Sequence, residues 1–156
     1  MVMFVDGGCR RNGYSNAIGA AACIIISKYG KSQGWYREIP THLNPTSQRA
    51  ELSALILALE TAIERYEESH TNPYMDVTIH MGSEYAHDCI TEWVYKRVGN
   101  GWKNAKGYEV ANRDLIEEAS DLDDRLKALG AVTYTWWVLS NCMTSMYPED
   151  FYSIYV

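Results

Sequence analysis

The stretch Pro45-Thr46-Ser47-Gln48-Arg49-Ala50-Glu51-Leu52-Ser53-Ala54-Leu55-Ile56-Leu57-Ala58-Leu59-Glu60 limits what this chain can fold into more than any other. Leu52, Leu55, Ile56, Leu59 and Ile63 recur at i, i+3, i+4, i+7 and i+11. That period is one face of an amphipathic helix, rich enough in apolar residues to be central to a core. Thr46, after Pro45, is the expected N-cap, and Asn72-Pro73 breaks a helix expected to run to about Glu68. Glu51 is the odd residue. It lies one turn in, among Ala50, Leu52 and Ala54, where an unpaired buried carboxylate is strongly unfavourable. Either Glu51 pairs with Arg49 or faces water, or it works with residues elsewhere in the chain.

At 156 residues the chain has the length of one domain, and a single domain spanning 1–156 is expected. Apolar residues at 47% and charged residues at 22% are ordinary for a globular protein. The net charge of −6 excludes a molecule that attracts nucleic acid as a whole, so such a partner would have to be met by a local basic patch. Cys9, Cys23, Cys89 and Cys142 are far apart and lack metal-site spacing. They read as reduced thiols of an intracellular protein, in the cytoplasm or nucleus. With no signal-peptide pattern and no apolar run near ~18 residues, no membrane span is expected.

Taken in order, Met1 to Val5 reads as a strand running into a tight turn at Asp6-Gly7-Gly8. Asn12-Gly13 and Gly30 mark turns around a second strand, Ile18 to Ser27, and Gly34 to Ile39 reads as a third. Short turns between them predict an antiparallel meander. After the central helix, Met75 to His80 is a fourth strand, and Ser83 is the N-cap of a short helix that continues from Ile90 to Val98. Lys96, Arg97, Lys103 and Lys106 then form a basic stretch containing Trp102 and no acid. A long acidic helix is expected from Tyr108 to Leu129, with Leu115, Ile116, Leu122 and Leu126 facing the core. Gly130 would end it as the C′ residue, and Ala131 to Val138 is a fifth strand. The order β-β-β-α-β-α-α-α-β predicts an α/β fold with a five-stranded mixed sheet covered by helices.

Val5-Asp6-Gly7-Gly8-Cys9-Arg10-Arg11-Asn12-Gly13 resembles the opening of the ribonuclease H type 1 family. Pro45-Thr46-Ser47-Gln48-Arg49-Ala50-Glu51-Leu52 resembles that family's central-helix motif, and Ser83-Glu84-Tyr85-Ala86 the segment after its fourth strand. Gly101-Trp102-Lys103 and Val110-Ala111-Asn112-Arg113-Asp114-Leu115-Ile116 resemble its basic, Trp-bearing protrusion and the following helix. The likeness covers residues 1 to about 138 and implies a ribonuclease H-like fold.

What the resemblance implies is hydrolysis of the RNA strand of RNA/DNA hybrids with two divalent cations, Mg²⁺ or Mn²⁺. Two hard cations about 3.5–4 Å apart clamp the attacking and leaving oxygens, and hard cations take oxygen ligands. The family supplies those ligands from four carboxylates. Asp6 matches the first and Glu51 the second, so both are the expected catalytic and metal-binding residues. At the third position, before Ser83, this chain has Gly82. At the fourth, depending on register, it has Ser145 or Tyr147 where the family has aspartate, and Glu149 and Asp150 are the only later acids. No histidine follows His87, so the family's flexible-loop histidine is also missing. Asn12 and Gln48 match positions that contact the hybrid's groove in the family, with Arg10, Thr46 and Ser83 near such positions. Trp102, Lys103 and Lys106 match the protrusion that grips the DNA strand, and Trp93 the helix leading into it. Core packing for the tryptophans and a solvated face for the lysines are the competing readings.

The expectation is a ribonuclease H-like domain with impaired or absent catalysis, binding a cation weakly or at a single site and retaining hybrid binding. Two alternatives stand beside it. One is an active nuclease in which Glu149 or Asp150 substitutes. The other is a structural module without nucleic-acid binding.

Overall fold

In a computed structural model, residues 1–27, 29–71 and 73–136 are described. Strands β1 (Val2–Arg10), β2 (Ile18–Ile26) and β3 (Ser32–Ile39) form the expected antiparallel meander, with Phe4 opposite Ile24 and Cys23 opposite Trp35. Gly13 (φ +87°) and Gly30 (φ +74°) sit in its turns in the left-handed region that glycine enters without steric cost. The first strand does not stop at Val5. It runs straight through Asp6-Gly7-Gly8, with Gly7 opposite Ala21 and Gly8 opposite Ala20. Gly7 is therefore no turn residue. A Cβ at this position would overlap the Ala50 carbonyl and the Glu51 amide, so its missing side chain lets the central helix lie directly on β1.

That helix, α1, spans Ser47–Glu68 and is capped as expected: the Thr46 hydroxyl accepts from the Arg49 amide at 3.1 Å. Leu52, Leu55, Ile56, Leu59 and Ile63 are buried, and so are Ala54, Leu57, Ala58 and Ala62 on its other sides. A helix apolar nearly all round belongs inside. Here α1 packs on β1 and β2 and is covered by a later helix, α4 (Arg113–Leu129). β4 (Met75–Met81) then pairs parallel to β1, and β5 (Gly130–Trp136) pairs parallel to β4. The sheet order β3-β2-β1-β4-β5 is the expected five-stranded mixed sheet.

Between β4 and α4 lie α2 (Glu84–Asp88), a π turn (Cys89–Trp93) and α3 (Val94–Gly99). The acidic helix α4 begins at Arg113, not Tyr108. The chain before it folds back instead, with Val110 N donating to Trp102 O at 2.9 Å and Lys103 bridging Glu109. Ile116 and Leu126 are buried, while Leu115 and Leu122 pack at the core's rim. Asp123, also buried, accepts from Tyr134 Oη and Lys127 Nζ, both at 2.6 Å, and so ties α4 to β5. Gly130 is not a left-handed helix stop. Its backbone is extended, it opens β5, and a Cβ there would overlap the Met75 carbonyl oxygen. No helix among the described residues is long and apolar enough to cross a membrane. Residues 137–156, with Ser145, Tyr147, Glu149 and Asp150, lie outside the described residues.

Candidate functional site

The register of the central strands sets the site. β1 and β4 pair from Val2–Thr78 to Val5–Met81, and Gly82 N then donates to Val5 O at 3.4 Å. This carries Gly82 alongside Asp6. Close contact at Gly7 brings the first turn of α1, and with it Glu51, to the same place. Asp6 and Glu51 share one small hollow with Val5, Gly7, Met81, Gly82, Ser83 and Ala86. A Cβ on Gly82 would lie 3.4 Å from Asp6 Oδ1.

Both carboxyls are held above their ordinary pKa range. For Asp6 the cause is burial, opposed by the Gly7 N–H that donates to its Oδ1 at 3.0 Å. For Glu51 burial is again the largest cause. The Ser83 hydroxyl, donating to Oε2 at 2.6 Å, acts against it, and the charge of Asp6 adds to it. Glu51 does not pair with Arg49. That guanidinium instead makes a bidentate pair with Asp114, at 3.0 and 2.7 Å, holding the Asp114 carboxyl below its usual range. Among the described residues, no group of three or more His, Cys, Asp or Glu side chains comes together in a metal-binding arrangement.

The other sequence-selected residues gather in two places. Cys9 Sγ lies 3.5 Å from Pro45 O, so the end of β1 rests against the start of α1. Arg10, Asn12 and Gln48 are exposed in that region, and Asn12 Oδ1 accepts from Ser47 N at 3.4 Å. The Thr46 and Ser83 hydroxyls are both engaged in helix caps. The second place is the loop after α3. Trp102 is only 9% exposed and belongs to the hydrophobic core, with the Arg113 guanidinium 5.4 Å from its ring centroid. Lys103 and Lys106 are exposed beside it. Their loop is shaped by Asn104 Oδ1, which accepts from the amides of Lys106 (2.9 Å) and Tyr108 (3.1 Å). Trp93 is half-buried, edge-on to Tyr85 at 5.9 Å, with the Arg97 guanidinium 4.9 Å from its ring centroid.

Sequence reasoning missed Asn112. Its backbone is left-handed (φ +60°), and its side chain caps nothing. Its amide nitrogen donates to Gln48 Oε1 (3.4 Å) and Tyr85 Oη (3.0 Å), while Oδ1 accepts from Arg49 (3.4 Å). One side chain thus joins the N-terminal ends of α1, α2 and α4. In the sequence Asn112 falls inside the helix expected from Tyr108, so its place just before α4 carried no signal.

A mixed sheet in the order 3-2-1-4-5, with an aspartate on its first strand meeting a glutamate on the helix that crosses it, defines a ribonuclease H-like α/β domain. Residues 1–134 match the sequence model of the RNase H family, and the chain belongs to that family. Its relatives include the ribonuclease H of Rhodospirillum rubrum, 37% identical over an alignment of 139 residues that covers 87% of this chain and 69% of that protein. Solved structures that share its fold include two RNase H1 proteins. LC9-RNase H1, described as a type 1 RNase H with the type 2 active-site motif, superposes with a TM-score of 0.66 at 23% identity, over 90% of this chain and 63% of that one. LC11-RNase H1, solved in complex with RNA/DNA hybrid, superposes with a TM-score of 0.55 at 20% identity, over 88% of this chain and 85% of that one.

Proposed function

We propose that this chain is an RNase H-family domain that engages RNA/DNA hybrid but has lost most or all of the family's cleavage. The observation that carries this reading is Gly82. It lies beside Asp6 where the family places a third carboxylate, and a glycine offers a metal no ligand.

Hard divalent cations take oxygen ligands and favour sites with several carboxylates. Asp6 and Glu51 face one hollow with raised pKa values, and a positive charge would relieve that strain on both. This donor set suits one Mg²⁺ or Mn²⁺ completed by water, held weakly, and is too small for a pair. A cation bound there would supply positive charge facing the nucleic-acid backbone. Asn12 and Gln48, exposed at the start of α1, would hydrogen-bond to minor-groove edges and 2′-hydroxyls, with Arg10 beside them on a phosphate. Thr46 and Ser83 would shape that surface through the helix ends they cap. Lys103 and Lys106 would contact phosphates, with buried Trp102 anchoring their loop.

Hybrid binding is expected to be weak, because the net charge is −6, and strongly dependent on salt. Replacing both Lys103 and Lys106 by Ala should weaken binding to all sequences alike and flatten the log Kd against log salt slope by up to about two units. Fluorescence anisotropy with a labelled hybrid and a matched DNA duplex, across a salt series, measures both effects. Preference for hybrid over duplex supports the reading. No hybrid binding at low salt would instead identify a structural module.

A further inference from the structure

Ser83 sits at the junction of the two carboxylates and α2, and its hydroxyl is engaged on both sides. Its oxygen accepts from the Ala86 amide at 3.2 Å, which is the N-cap bond of α2. A hydroxyl has one proton to give. With the oxygen fixed by the cap, that proton points to Glu51 Oε2, 2.6 Å away. The distance is that of a charge-assisted O–H···O⁻ bond. Among the described residues, this hydrogen bond holds the Glu51 carboxylate, which shares its hollow with Asp6. The bond engages Oε2 and not Oε1.

We infer that Ser83 is a positioning residue that fixes the Glu51 carboxylate beside Asp6, so that one divalent cation can bind between two carboxylates with no third acid at Gly82. The inference rests on the single-cation reading above. In this view, a helix cap doubles as the support of a metal ligand, and groups that orient metal ligands commonly change metal affinity by about 10–100-fold when removed.

Mn²⁺ binding to the full chain, followed by electron paramagnetic resonance of the free ion, tests it with no reliance on nuclease activity. Ser83→Ala removes both the cap and the donor. Ser83→Gly removes the donor but retains most of the capping, since Gly at an N-cap costs only a few tenths of a kcal/mol. Ser83→Thr keeps both. The expected result is a Kd for Mn²⁺ raised about tenfold in Ser83→Ala and Ser83→Gly alike, near its original value in Ser83→Thr, and unrelated to the order of their melting temperatures. Unchanged Mn²⁺ affinity in Ser83→Gly, or affinities that follow stability across the three variants, would overturn the role of Ser83 alone. Absence of Mn²⁺ binding by the unmodified protein at millimolar concentration would overturn the single-cation reading and this inference with it.

Discussion

Gly7→Ala should destabilise the protein by at least about 4 kcal/mol, an exceptional value for removing nothing and adding one methyl group. Most small-to-large changes are absorbed by side chains that shift, at about 1–3 kcal/mol. At Gly7 the obstacle is the backbone of α1 itself, at Ala50 and Glu51. Moving it would lift the first turn of the most buried helix off β1 and disturb the contacts of Leu52 and Leu55, both fully buried. At roughly 2–4 °C per kcal/mol for a chain of this size, the melting temperature should fall by about 10 °C or more. Gly99→Ala is the matched control. Its added methyl would meet nothing within 4 Å, and the change should be neutral or stabilising by up to about 1 kcal/mol. Thermal unfolding followed by circular dichroism decides it, and a Gly7→Ala midpoint within about 2 °C of the unmodified protein would refute close helix–strand contact at this point. The same contact delivers Glu51 to Asp6, so a folded Gly7→Ala variant should also lose cation affinity.

What could be read without coordinates follows from how far each signal reaches along the chain. The helix α1 was legible because its apolar period is local, and the Thr46 and Ser83 caps because a hydroxyl before a helix bonds within three residues. Sheet composition was legible from the alternation of strand and helix signals. Gly7 and Gly130 were misread for one reason. A glycine serving close approach and a glycine serving a turn look alike in sequence, and only the element that packs against it, α1 or Met75 of β4, tells them apart. The start of α4 was misplaced because the Val110–Trp102 hydrogen bond competes with helix for residues that would otherwise continue the period.

The site divides the same way. No periodicity singled out Asp6, and Glu51 stood out only as a carboxylate among apolar residues. Their pairing came from likeness to a known family. The Ser83–Glu51 bond joins residues 32 apart, and Asn112 reaches Gln48 across 64, so neither had a local signature. Trp102 was left between core and ligand contact because a Trp beside lysines suits both. Its burial with Arg113 over the ring makes it an anchor for the loop.

The unmodified protein should cut labelled RNA/DNA hybrid, with Mg²⁺ or Mn²⁺, at least ~100-fold more slowly than a family member with all of its acids. That factor corresponds to about 2.7 kcal/mol of lost transition-state stabilisation, modest if the proposed single-cation site replaces a two-cation clamp. Gly82→Asp should recover part of the loss. The backbone accepts the change: Gly82 lacks a left-handed φ, its Cβ would stand 3.4 Å from Asp6 Oδ1, and Gly82 is exposed, so the new carboxylate has room to turn into the hollow. A third acid beside Asp6 and Glu51 adds an oxygen ligand and a negative charge, so Mn²⁺ should bind more tightly even where cleavage stays low. Recovery should stop short of a complete enzyme if, as the family resemblance implies, the fourth position falls on Ser145 or Tyr147. Full activity from Gly82→Asp alone would require a fourth ligand among the later acids. Adding Glu149→Gln or Asp150→Asn to that variant would then show which one, by returning the rate to that of the unmodified protein. A rate for the unmodified chain within about tenfold of a complete family member would sink the impaired reading outright and leave an active nuclease with a substituted ligand set.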